Sequence, residues 1–406
     1  MGIINYIKST VFNQGNDISL KDFRLWLLLV VINCGANLGF NYYFEQQKVK
    51  IILFLICLLF VLNNKTYRCN IKQLFFVLSL CLLLFFQVVY LDIYSITTSL
   101  HYILMISIAV MTVSICGKQF TQFYSGIIFV HAVISLICYL LSNIAGVVIP
   151  YIPITSSNID GGVIMRVYNL YYTQLGNPMG NGLYTIRNCG PFWEPGAFQG
   201  FLNLAIWFEL TSNVERNKWW KFRVVILIFA VITTLSTGGY IVLFFILTYF
   251  FSMDKSIGIY KKLFFTFGML AISCYLYFIL DFMSQKISND EARLNFSFTN
   301  FPNIFYMLFG YGYATESFSQ SSMSSASSIF NLFRYLGVIG TVIYLSTLFF
   351  NKTPHHFAYF CVIFLILMNE PFLSNAMIWW APAFVTYNKF KDSKSYSFTP
   401  NRVNMK

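Results

Sequence analysis

The sequence predicts an all-α fold, a polytopic membrane helix bundle of about twelve transmembrane segments forming one integral domain over residues 1–406. Three observations carry this expectation. Of 406 residues, 57% are apolar and only 10% charged, against roughly 25% charged in ordinary soluble domains, so water is not the main solvent of this chain. Apolar runs of roughly 15 to 25 residues recur from end to end, a length that at 1.5 Å per helical residue matches a hydrocarbon core about 30 Å thick. Lys and Arg are sorted between alternate connections, as they are in membrane helices.

Taken in order, the polar segment 1–21 precedes the first apolar run, and no small-residue cleavage pattern follows it. The first helix is therefore expected to stay in the protein. Tyr6 stands where an N-myristoylation motif needs Ser or Thr, so that reading fails too. Spans are expected at 22–43, 49–63, 73–90, 99–116, 121–148, 195–212, 220–236, 238–252, 262–280, 328–349, 356–370 and 374–389, the last interrupted by Pro382.

With a cytoplasmic N-terminus, the inner segments hold 20 of the 27 Lys and Arg, among them Lys65, Arg68, Lys72, Arg216, Lys218, Lys221, Lys255, Lys261 and Lys262. The outer loops hold six, and Arg334 lies inside a span. Both termini are then cytoplasmic, and the net charge of +12 is a topology signal rather than a nucleic-acid footprint. Of nine cysteines, seven fall within or at the ends of spans, and only Cys189 lies in an outer loop. No outer disulfide framework follows from that distribution.

Two outer loops are long, 149–194 and 281–327, with no obvious secondary structure; loops of this kind are usually functional or disordered. At the end of the first stands RNCGPFWEPGAFQGF, Arg187 to Phe201. Pro195 suits a first helical position, and Glu194 before it sits at the positive end of the helix, so a capped helix start is the simplest reading. Other unusual features share its expected membrane level: the turn Ser236-Thr237-Gly238-Gly239, Arg293 in EARLNF, Gly310, Tyr311, Gly312 and Tyr313 in FGYGY, Arg334 two turns into its span, and Glu370 in NEPF. Each also has a plain structural reading. For Arg187 and Arg293 it is a surface charge, for Arg334 snorkelling or pairing with Glu370, and for the glycines a tight turn.

An outward site lined by arginines and aromatic rings such as Phe192, Trp193, Tyr311 and Tyr313 suits a phosphate-bearing ligand carrying sugars, because the guanidinium fork matches phosphate oxygens. Arg187, Glu194 and Arg293 are the candidate catalytic residues. Arg166, Trp193, Gln199, Ser236, Thr237, Tyr311, Tyr313, Arg334 and Glu370 are the candidate substrate-binding residues. The sequence has no Asp-x-Asp pair and no zinc spacing, and none of its four histidines falls in a long outer loop, so no metal or cofactor is expected. Arginines would stabilise a departing diphosphate, and Glu194 is the candidate base for the acceptor hydroxyl. The helix N-terminus that stabilises this carboxylate also weakens it as a base, so orienting Arg187 or the acceptor sugar is the alternative role.

The pattern Arg-x-x-Gly-x-Phe-x-Glu-Pro in RNCGPFWEP resembles the O-antigen polymerase branch of the O-antigen ligase and polymerase superfamily. The Ser-Thr-Gly-Gly turn, EARLNF followed by FGYGY, and SSIFNLFRYLGVIG agree with it, over residues 185–345. The resemblance implies a GT-C-like enzyme at the periplasmic face of the bacterial inner membrane that works without metal. It would transfer a growing glycan from one undecaprenyl diphosphate carrier to a carrier-linked repeat unit, with a chain-length regulator protein as a candidate partner. Arg187 and Arg293 match the outer-loop arginines that the resemblance assigns to the carrier diphosphates. The ligase pattern His-[Asn/Ser/Gln]-x9-Gly-x-x-Gly is met here by Ala326, Ser327, Gly337 and Gly340, so its histidine is missing, which favours polymerase over ligase. A lipid-linked oligosaccharide flippase is the rival from another class, but transporters carry functional charges near the midplane, where His131 is the clearest polar residue.

Overall fold

The computed structural model describes residues 22–34, 36–37, 40, 45–63, 69–91, 96–143, 145, 163–166, 171–178, 184–211, 219–253, 257–263, 267–268, 304–310, 327–349, 355–369, 372 and 376–387. Among the described residues three helical stretches, Ile71–Tyr90, Ser99–Asn143 and Ser328–Phe349, are long and apolar enough to cross a membrane, with mean hydropathies of 2.2, 2.1 and 1.6. In chain order the helices are α1 (Phe23–Asn33), α2 (Gln46–Asn63), α3 (Ile71–Leu91), α4 (Ile96–Cys116), α5 (Phe120–Asn143), α6 (Pro195–Thr211), α7 (Trp220–Thr233), α8 (Thr237–Met253), α9 (Ile304–Phe309), α10 (Ser328–Phe349), α11 (His356–Asn369) and α12 (Ala376–Tyr387). All but one of the expected spans hold one of these helices; 262–280 lies largely outside the described residues.

Local chemistry explains the helix limits. Asp22 caps α1, its carboxylate accepting the Arg24 backbone N–H at 3.0 Å. The helix stops at Asn33 rather than at residue 43, because side-chain amides take over from the helical ladder. Asn33 Nδ2 donates to the Leu29 carbonyl at 2.8 Å, Asn37 Nδ2 to Asn33 Oδ1 at 2.9 Å, and Asn37 Oδ1 accepts the Phe40 N–H at 3.0 Å. Between α4 and α5 a single 3₁₀ turn, Gly117–Gln119, opens on Gly117 at φ 57°.

Every residue of α6 from Pro195 to Glu209 is buried, which is where a helix that is apolar on all sides belongs. Helices α5, α7, α8 and α11 pack around it, while α12 packs against α3, α4 and α10. Facing outward are Ile51, Ile52, Leu55, Leu59 and Leu62 of α2, and Leu74, Phe75, Leu78, Leu82, Phe85 and Val89 of α3. Their three-and-four spacing draws continuous apolar stripes that water would not tolerate and hydrocarbon does.

The first long loop, expected to lack regular structure, holds a three-stranded antiparallel sheet of β1 (Val163–Arg166), β2 (Tyr171–Pro178) and β3 (Tyr184–Gly190), in sequential order. Strand β3 packs on α5 and α6. The Tyr139 hydroxyl of α5 donates to the Ile186 carbonyl at 2.9 Å, and Asn143 Nδ2 donates to the Tyr171 hydroxyl at 3.3 Å. Burial pushes the Tyr171 phenol up from its ordinary value. This end of the bundle is called the sheet end below.

Helix α10 kinks at Gly337, whose φ of 65° and ψ of −171° are not helical. The kink leaves the Tyr335 carbonyl to be met by Gln87 Nε2 of α3 at 2.8 Å, and the same amide donates to the Phe309 carbonyl of α9. Gly310, at φ 87°, lies against the Tyr335 and Gly337 backbones, where neither glycine has room for a Cβ. At the end of α6 far from the sheet, Glu209 and Arg223 form an ion pair with side chains 2% and 0% exposed.

Candidate functional site

The motif from Arg187 to Phe201 is the join between β3 and α6, and each residue in it has a separate task. Arg187 pairs in register with Gln174 of β2, and its Nε donates to the Thr234 carbonyl at 3.2 Å. Thr234 is the C-cap of α7, so the guanidinium lies at the negative end of that helix. Asn188 is fully buried, its amide donating to the hydroxyls of Thr233 at 2.9 Å and Ser135 at 3.3 Å while its Oδ1 accepts the Gly190 N–H at 2.8 Å. One side chain thereby ties β3 to both α5 and α7.

Gly190 has φ 54°, and a Cβ there would stand 2.8 Å from the Phe198 ring, so both conformation and space demand glycine. Phe192 stacks on Phe201 with centroids 4.2 Å apart and is bridged by backbone to Asn37, just beyond α1. Trp193 donates its indole N–H to Glu194 Oε1 at 2.8 Å and presents its ring edgewise to Phe372 at 5.8 Å. The Glu194 carbonyl accepts the Phe198 N–H at 3.1 Å, and Pro195 takes the first helical position as expected.

The turn opposite this motif is Thr234-Leu235-Ser236, with Leu235 at φ 48°, where the Ser236 N–H donates to Thr234 Oγ1 at 3.3 Å. The expectation that Gly238 and Gly239 form the turn is corrected: they lie in the first turn of α8. Their role is close packing. Gly238 faces the Asn369 amide, and a Cβ on Gly239 would stand 2.9 Å from Gln199. Asn203 Nδ2 then donates both to Gln199 Oε1 at 3.0 Å and to the Gly239 carbonyl at 3.1 Å. Buried in this region, Gln199 Nε2, Asn203 Oδ1 and Thr237 Oγ1 have no hydrogen-bond partner among the described residues.

Phe372 closes the group. Its N–H donates to Ser328 Oγ at 2.6 Å, and its ring would meet a Cβ on Gly200 at 2.7 Å, bringing the start of α10 and the segment after α11 against α6. Arg187, Trp193, Glu194, Gln199, Ser236 and Thr237 are thus gathered at the sheet end from two chain segments. Arg334 lies farther along α10, its guanidinium 5.5 Å from the Tyr335 ring centroid. Arg166 ends β1, paired in register with Tyr171. Arg293, Tyr311, Tyr313 and Glu370 lie outside the described residues.

Sequence reasoning passed over Asn188, Thr234, Asn203, Asn369 and Phe372. Asn203 follows Gln199 at helical spacing, so a search for amides on apolar helices would have found it; Asn188 stands inside the motif, on β3. The others are visible only in space. Among the described residues, no three His, Cys, Asp or Glu side chains gather as a metal-binding set. No protein-family model matches the chain, and a search of curated proteins finds no match.

Proposed function

We propose that this chain is a lipid-diphosphate-dependent glycosyltransferase, an O-antigen polymerase. It transfers a growing glycan from undecaprenyl diphosphate onto a carrier-linked oligosaccharide repeat unit, in lipopolysaccharide O-antigen biosynthesis. In this reading the bundle has about twelve spans and a GT-C-like fold in a bacterial inner membrane, and the sheet end is periplasmic. The observation that supports it most is that one short join between β3 and α6 carries Arg187, set on the Thr234 carbonyl, and the Trp193–Glu194 pair to the same end of the bundle, where Gln199 packs on Gly239. A cation, an indole, a carboxylate and buried amides are the groups that a sugar diphosphate needs.

The reaction breaks the bond between the donor's anomeric carbon and the diphosphate oxygen and forms one from that carbon to an acceptor hydroxyl oxygen. Arg187, with Arg293 as its proposed partner, neutralises the negative charge that grows on the departing diphosphate. The hydroxyl proton goes to Glu194. One of its oxygens is engaged by the Trp193 indole, which holds the carboxylate in a set direction and leaves the other oxygen to accept. The Trp193 ring offers a sugar a stacking surface.

The test is purified protein in lipid nanodiscs with undecaprenyl-diphosphate-linked repeat units, assayed for chain growth and released carrier diphosphate. Lengthening products with stoichiometric release are expected. Transport of intact lipid-linked units without any new glycosidic bond would overturn the reading and favour the flippase.

A further inference from the structure

Lys50, on the first turns of α2, is 1% exposed. Its Nζ lies 3.0 Å from Nε2 of the half-buried His101 on α4. Neither side chain has a carboxylate partner among the described residues. The ion pairs there are Asp22 with Arg24, Glu45 with Lys48 and Glu209 with Arg223. Two basic nitrogens at hydrogen-bond distance hold one proton between them, so the pair carries a single positive charge with no described negative charge opposite. A buried charge is ordinarily matched by an opposite one, and a lone ionisable group in a membrane bundle marks a function by default.

The pair also lies toward the sheet end. Lys50 is close enough to Cys34 for the two to interact electrostatically. Cys34 directly follows α1, one turn before Asn37, whose backbone bridges Phe192 of the motif. The two halves of the chain therefore bring cations toward the same end: Arg187 beside α7, and Lys50 with His101 between α2 and α4.

We infer that Lys50 and His101 form an anion-binding subsite for a phosphate or diphosphate group, with the partly exposed imidazole on its open side. Phosphate oxygens accept from both nitrogens once each carries a proton, and the bound anion supplies the counter-charge that the protein lacks. A lipid-linked diphosphate and a phospholipid headgroup share this chemistry. The inference stands whether or not the chain joins sugars.

The experiment uses the full chain in phosphatidylcholine nanodiscs and follows its thermal midpoint while inorganic pyrophosphate or farnesyl diphosphate is titrated. The midpoint of the wild type must rise; a flat titration overturns the proposal whatever the variants do. Lys50→Met should weaken binding about tenfold or more, the loss expected for a charge-assisted contact, and Lys50→Arg should retain it. His101→Asp is the sharper variant, since it gives Lys50 a carboxylate of its own. It should melt higher than the wild type and lose its response to the anion. Equal binding by the wild type, Lys50→Met and His101→Asp overturns the proposal, and if Lys50→Met does not fold, His101→Asp decides alone. A higher midpoint on exchanging phosphatidylcholine for phosphatidylglycerol, without added diphosphate, assigns the subsite to a headgroup; a response to farnesyl diphosphate alone assigns it to a lipid-linked substrate. Arg187→Ala, carried in parallel, separates this site from the transfer site, because its loss of chain growth should leave the Lys50-dependent part of the binding intact.

Discussion

Each end of α7 is met by an arginine, and the two are built for different ends. At the first turn, Arg223 is 0% exposed, paired to Glu209 of α6, 3.3 Å from Ser125 Oγ of α5 and over the Phe129 ring at 5.2 Å. A cation at a helix N-terminus opposes the helix dipole, so Glu209 is needed to hold it there. At the last turn, Arg187 arrives from β3, half-buried, with the dipole in its favour and Nε on the Thr234 carbonyl. Burial with a dedicated counter-ion makes a lock between three helices. Partial exposure beside a strained turn is the arrangement that the proposed transfer reaction uses.

The comparison breaks most sharply through Glu209→Ala. Leaving Arg223 charged in the interior without its carboxylate should destabilise the bundle by about 3–5 kcal/mol, read as loss of folded protein on extraction and size-exclusion. Adding Arg223→Met to that variant should restore most of the loss; if it does not, the pair is not the lock. Arg187→Ala should do the reverse. The protein should insert and fold, while chain growth falls 10²- to 10³-fold, about 3–4 kcal/mol in barrier, as for loss of a preorganised donor. Cells would then carry glycans of one repeat unit, and long chains in this variant would reduce Arg187 to a helix cap.

Smaller effects sharpen the picture. Gly337→Ala places a Cβ at φ 65° against the α9 backbone; a cost of about 1–3 kcal/mol should appear as a lower thermal midpoint, and an unchanged one would remove the kink as a constraint. The smallest effect is expected at Asp22, whose carboxyl is held below its ordinary range chiefly by the Arg24 side-chain hydrogen bond. A lowered folded value means that its contribution is complete above the ordinary carboxylate range and disappears as the pH falls through the folded value. Asp22→Asn keeps a capping oxygen and removes the charge that Arg24 pairs with, so it should cost about 0.2–1 kcal/mol near neutrality, the usual worth of a partly exposed ion pair, and flatten that acid limb in a thermal melt.

Much of the fold was legible because it depends on solvent. The runs around Phe120, Trp220 and His356 read as helices since apolar stretches in hydrocarbon must satisfy their own backbone groups. The sheet was not legible: TyrTyrThrGln and TyrThrIleArg are short and half polar, and strand pairing is decided by partners far along the chain. The early end of α1 was missed because Asn33 and Asn37 look like polar residues in an apolar run until their amides are seen bonding locally. Within the site, Pro195 and Glu194 were readable as a helix start from residue type alone. The meaning of Gly238 and Gly239 was not, since a Gly-Gly pair after Ser-Thr reads as a turn until Asn369 and Gln199 are found against it.

Composition and apolar periodicity by themselves determined that this chain is helical and dissolved in lipid, because transfer free energy adds up residue by residue and needs no partner. They also marked RNCGPFWEP as unusual. Tertiary structure alone decided which arginine became a buried lock and which stayed partly exposed, why Gly310 and Gly337 are glycines, and that Lys50 meets His101 across 51 positions of sequence. Those outcomes depend on distance and burial, and both are created only when separate helices pack.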